Sequence, residues 1–149
     1  AVMPADIVTT TFREWGRANG FQRKGTTLYR DQEETLAVVN LQGSQWGGRY
    51  YVNVALWLKA VEEAHQPSPL ACHIQTRLSQ VVADPKELDR VLETRTDMAD
   101  DLRRERLFGY LDDLTSMLAK SATIDELKAN RVVFLDRCLL TGEAQQLLS

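Results

Sequence analysis

The residue types that most often do chemistry are present, but their spacing does not assemble a reaction centre. His65 and His73 are the only two histidines. Pro67 and Pro69 lie between them, and no ligand spacing of a metal site surrounds either one. Cys72 beside His73 has the types of a nucleophile and its base, yet strand neighbours point to opposite faces, so no dyad is expected. Cys138 sits in an apolar run and reads as a small buried hydrophobe. Ser44, within Gly43-Ser44-Gln45-Trp46-Gly47, lacks the flanks of a nucleophile elbow and reads as a turn residue. Gly43, Gly47 and Gly48 lack the spacing of a phosphate-binding loop that opens a helix. Asp112 and Asp113 diverge by about 100° on a helix and form no preset acid–base pair. No catalytic residue, metal ligand or cofactor site is expected.

A second group of residues offers recognition instead of reaction. If residues 35–42 and 49–58 are strands of one hairpin joined by 43–48, Gln42 faces Arg49, Asn40 faces Tyr51 and Val38 faces Asn53. Alternation then puts Ala37, Val39, Leu41, Tyr50, Val52, Val54, Leu56 and Leu58 on one apolar face. The other face carries Asn40, Gln42, Arg49, Tyr51, Asn53, Ala55 and Trp57, with Leu36 and Val38 beyond. Amides and Tyr supply donors and acceptors, and Trp supplies apolar area. Asn is depleted in strands, so two of them on one face invite a reason. A half-solvated outer face, or amides that satisfy a bulge or a buried loop, is the bland alternative. Arg30, Asn40, Gln42, Arg49 and Arg77 are also the residues that could hold an anion by charge-assisted bonds.

The elements that must position this face follow from periodicity and punctuation. Asp6 caps a helix over about 5–18, with Ile7, Val8, Phe12 and Trp15 at helical spacing and Gly20 as its stop. Strands are expected at 26–30, 35–42, 49–58 and 72–82, with a turn at 31–34 and a loop at 59–70. Connections this short imply an antiparallel meander. Asp84-Pro85-Lys86-Glu87 is a helix start with cap, N1 proline and N3 acid. Helix continues from Leu88 to about Ala119 with a break near Thr96-Asp97, and Leu102, Phe108, Leu111, Leu114 and Leu118 form its apolar stripe. The charged run from Asp97 to Asp113 reads as a solvated face, with Asp100 and Arg104 as an i,i+4 pair. Thr123 to Glu126 is a further capping box, and Gly142 precedes a short terminal helix. The expected architecture is a single α+β domain over 1–149: an N-terminal helix, a four-stranded antiparallel sheet, and C-terminal helices on one sheet face.

Composition limits the functions this frame can serve. The chain has 149 residues, 26% of them charged and 44% hydrophobic, the profile of a globular domain able to bury a core. A net charge of −3 argues against a dedicated nucleic-acid binder. Two isolated cysteines read as reduced thiols. No run approaches the about 18 apolar residues of a membrane span, and no basic-then-apolar leader is visible. Met3 is a candidate natural start, and the expected compartment is the cytoplasm.

The same residues carry a family resemblance. Gly20-Phe21-Gln22-Arg23-Lys24-Gly25, leading to Tyr29 and Arg30, resembles the opening motif of the bacterial family catalogued as domain of unknown function 4304. Asn40-Leu41-Gln42-Gly43-Ser44 resembles its "N-x-Q-x-S" segment, and Tyr51-Val52-Asn53 its "aromatic-V-N" segment. The resemblance covers roughly 5–82, with Ala55 where many members carry Gly. It implies an α+β fold, no known activity, and a place for Asn40, Gln42, Ser44 and Asn53 in the family pattern. By association, small families of this type often sit beside bacterial toxins as immunity proteins.

The expectation is therefore a non-enzymatic protein-binding module, in its sharpest form an immunity-like protein that binds and blocks a toxin. Its expected binding residues are Arg30, Asn40, Gln42, Ser44, Trp46, Arg49, Tyr51, Asn53 and Arg77. The alternatives are an anionic-ligand or enzyme site on the same polar face, and a homodimer formed through the sheet.

Overall fold

A computed structural model describes residues 6–149. Helix α1 (Ile7–Ala18) starts where Asp6 accepts a hydrogen bond from the Thr9 amide, and it buries Val8, Thr11, Phe12, Trp15 and Gly16 along one face. The earlier start expected at residue 5 lies outside the described residues. Gly16 is the close-approach point: a Cβ there would stand 2.6 Å from Leu28 Cδ1, so only glycine lets the helix lie this near the sheet.

Among the described residues the chain then builds one antiparallel meander of six strands, not four. They are β1 (Gln22–Lys24), β2 (Thr27–Asp31), β3 (Thr35–Gly43), β4 (Tyr50–Leu58), β5 (Ile74–Arg77) and β6 (Leu139–Leu140), ordered as numbered. Strand β1 is all polar and exposed, so it has no alternation to announce it. It forms because Gly25, at φ 62°, makes a two-residue hairpin turn to β2. Strand β6 is two residues long and lies in sequence beyond all but the last helix. The strand expected over 72–82 is corrected too: β5 ends at Arg77 and α2 (Leu78–Val81) follows at once. That turn of helix puts both Leu78 and Val82 into the core, which outweighs the β-prone composition of the run.

Three capped helices follow much as their signals require. In α3 (Pro85–Leu92), Asp84 accepts from the Glu87 amide at 3.1 Å. In α5 (Ile124–Ala129), Thr123 accepts from the Glu126 amide, and in α6 (Gly142–Leu147), Thr141 accepts from the Ala144 amide. The long helix α4 (Asp100–Ala119) buries Leu107, Leu111, Leu114 and Leu118. Leu102 is exposed and Phe108 half-buried, contrary to the expected stripe. Its N-terminal place on the buried face is taken by Arg103, which is 2% exposed. The charged run is therefore not uniformly solvated, and Arg104 pairs with Glu14 of α1 instead of Asp100.

All helices from α1 to α6 contribute to one core on the sheet face made by Leu28, Ala37, Val39, Leu41, Val52, Val54, Leu56, Leu58 and Ile74. The β3–β4 register differs from the expected one by two residues, with Asn40 opposite Asn53 and Gln42 opposite Tyr51. A shift of two preserves parity, so the division into an apolar and a mixed face stands. The opposite face divides along its length. At one end Tyr29, Leu36, Val38, Ala55, Trp57 and Cys72 form a second buried cluster, with Trp57 Nε1 donating to the Glu62 carbonyl of the 59–73 segment. At the other end lie the amides. Among the described residues no helix is long and apolar enough to cross a membrane.

Candidate functional site

The polar end of the outer sheet face is a chain of amides that fix one another. Asn53 is its hub. Its Nδ2 donates to Asn40 Oδ1 at 3.1 Å and to Gln42 Oε1 at 3.0 Å. Its Oδ1 accepts from Arg77 Nε at 3.2 Å. Asn40 in turn donates to Thr27 Oγ1 at 3.0 Å and Thr26 Oγ1 at 3.2 Å. Both asparagines are half-buried. Their presence in strands is explained by this network, which links β2, β3, β4 and β5 side chain to side chain.

The arginine at the end of the chain is held a second way. The Arg77 guanidinium lies 4.4 Å from the Tyr51 ring centroid, and that of Arg49 lies 5.1 Å from it, both within cation–π range. Arg49 also pairs with Asp89 at 3.2 Å. Its backbone bridges to Glu93, while Gly48 O accepts from the Thr94 amide at 2.7 Å. The end of α3 thus anchors the base of the β3–β4 hairpin.

Beside the network runs an open groove of about 970 Å³. Asn40, Gln42, Asn53 and Arg77 line it, together with Gln75, Gln80, Asp136 and Arg137, and the lips include Leu70 and Leu139. These two leucines are 85% and 78% exposed. Register places Gln75 opposite both Ala55 and Leu139, so the groove floor is the continuous outer face of β4, β5 and β6. The wall residues from 136 to 139 escaped sequence reasoning because nothing local predicts that a C-terminal segment returns to the sheet.

The remaining expected site residues are placed elsewhere. Arg30 is opposite Ala37, on the helix-facing side. There it lies over the Phe21 ring and donates to the Asn19 carbonyl and Gln32 Oε1, and burial pulls its guanidinium pKa down. It cannot share a ligand with Asn40. Ser44 accepts from the Trp46 amide within the hairpin turn, as a turn residue does. Trp46 is 81% exposed at the hairpin tip and does not line the groove. Arg49 and Tyr51 support the network from its flank.

The thiols and His73 are set for packing. Burial pushes both Cys72 and Cys138 up to about 12, and both are free. Cys138 is half-buried, its Sγ donating to the Phe134 carbonyl, so it is less enclosed than expected. His73 Nδ1 accepts the Leu58 amide at 2.9 Å, and burial lowers its pKa. Among the described residues no group of three or more His, Cys, Asp or Glu is arranged to hold a metal ion.

A family model described as domain of unknown function (DUF4304) matches residues 13–114. The chain belongs to this family. The DUF4304 match takes in Asn40, Gln42, Tyr51, Asn53 and Arg77 and ends within α4, so Asp136, Arg137 and Leu139 lie beyond it. No curated protein and no solved structure matches the chain.

Proposed function

We propose that this DUF4304 protein is a non-enzymatic protein-binding module, and that the groove on the outer sheet face is its recognition surface. One observation supports this above the others: the amide chain immobilises Gln42, Asn53 and Arg77 while leaving donors unused. Gln42 Nε2 and both Nη groups of Arg77 have no protein acceptor among the described residues. Side chains already ordered lose little entropy when a partner binds. The exposed leucines at the lips supply apolar area next to these donors. An immunity-like role, in which the partner is a toxin blocked by the complex, is the specific form of this reading.

The test is affinity capture from the source cell's lysate with tagged wild-type, Arg77→Gln and Gln42→Ala proteins, each checked by circular dichroism. One stoichiometric partner that both folded variants lose supports the reading. Equal capture by all three places binding elsewhere, and no partner for any of them rejects it.

A second reading has its own support. Arg77 and Arg137 line one cavity whose volume is within the about 300–1,000 Å³ of small-molecule sites. A small anion held there would raise the melting temperature by mass action. A thermal-shift screen flat at millimolar anions and nucleotides rejects that reading.

A further inference from the structure

We propose that the groove takes an extended segment of its partner by way of an acidic side chain, whose carboxylate docks on Arg77 with Arg137 beside it. The inference rests on the protein-binding reading above and names what that surface recognises.

Charge is the first ground. Arg77 and Arg137 both line the groove, and neither forms an ion pair among the described residues. The register pairing Ile74 with Leu140 and Gln75 with Leu139 runs towards Arg77 and Arg137. Thr76 Oγ1 donates to the Arg137 carbonyl at 2.9 Å, holding the two segments side by side. Two like charges lining one groove repel each other. Asp136, the one carboxylate on the groove wall among the described residues, offsets only part of this charge. A chain of net charge −3 thus carries a cationic groove, which complements an acidic ligand.

Geometry is the second ground. Arg77 uses Nε on Asn53 and its flat face on Tyr51. The end of the guanidinium, with its two Nη groups, remains for a two-pronged bond to a carboxylate. A free small anion would use this end alone. An extended peptide would also use Gln42 Nε2 as a donor and Gln75 Oε1 as an acceptor for its backbone, and Leu70 and Leu139 for the side chains flanking the acid. The open, elongated lining favours the peptide.

Selection of a random octapeptide display library on immobilised wild-type protein, with Arg77→Gln selected in parallel, tests this. Wild type is expected to enrich peptides with one recurring Asp or Glu flanked by apolar residues. Binding of the synthetic winner should fall by about tenfold or more on Arg77→Gln and on changing its acid to the amide. Arg137→Gln serves as the second variant should Arg77→Gln not fold. Enriched peptides without a recurring acid that lose binding on Gln42→Ala overturn the carboxylate inference and leave the protein-binding groove in place. Enrichment indifferent to every groove variant, or none at all, overturns both. Sodium succinate that matches the best peptide in affinity overturns the peptide in favour of a small anion.

Discussion

Replacing Arg103 with Met should cost this protein a large share of its stability. The guanidinium is buried against the end of α3, where the last helical carbonyls have no helical partner. Nη1 donates to the carbonyls of Arg90, Val91 and Glu93 at 3.1, 2.6 and 2.9 Å. Nη2 donates to the Thr96 carbonyl and Oγ1, both at 3.1 Å. Methionine fills much of the volume and donates nothing. A buried acceptor left without a donor costs about 1–3 kcal/mol. The Val91 carbonyl would bear this in full; the Arg90, Glu93 and Thr96 carbonyls keep other donors, the Thr96 hydroxyl and amide and the Met98 amide, and bear it in part. The sum is about 2–4 kcal/mol, against a total of about 5–15 for a typical domain. At about 2–4 °C per kcal/mol for a chain of this size, the melting temperature should drop by about 4–16 °C. Urea unfolding with an unchanged m-value is the assay. Arg103→Lys should fall between, since one ammonium cannot span four carbonyls. A loss below about 1 kcal/mol for Arg103→Met, the size of an ordinary surface change, would refute the reasoning.

Two further outcomes can be checked by the same unfolding measurements. Gly47 and Gly48 have φ of 77° and 79°, so alanine at either should cost about 1–2 kcal/mol. Gly48→Ala should cost more, because its Cβ would stand 2.7 Å from Arg95 Nε whereas that of Gly47 meets nothing; the reverse order would sink the argument. His73, with its folded pKa lowered below the ordinary 6.5 by burial, is neutral in the fold and charges more readily when unfolded. Its contribution is fully present above about pH 6.5 and is lost as pH falls through the folded value. His73→Gln should flatten that part of the stability profile, and an unchanged slope would contradict it.

Much of the site was readable from the chain because strand parity is strict. Ala37, Val39 and Leu41 had to turn together to the core, which sent Asn40 and Gln42 to the other side whatever the loop did. The hairpin register moved by two residues without disturbing this. Arg30 carries no such signal. Its face depends on how the 31–34 turn sets β2 against β3, and no pattern in a five-residue strand reports that. Its charge is tolerated on the helix side by the Phe21 ring and the Asn19 carbonyl. Arg103 was hidden for a related reason: a charged residue in a charged run looks solvated until the end of another helix is brought against it.

The chain alone determined the capped helix starts at Asp6, Asp84 and Thr123, the order of the central strands, and the two-faced sheet. Each depends on neighbours within a few residues, or on a period of two or 3.6. Only the tertiary structure decided the groove. Asn53 becomes a hub because three strands converge on it, and Arg77 is left without a counter-charge beside Arg137 because a segment 60 residues later folds back along β5. Contacts across such a separation are set by packing of the whole core, which no local window contains.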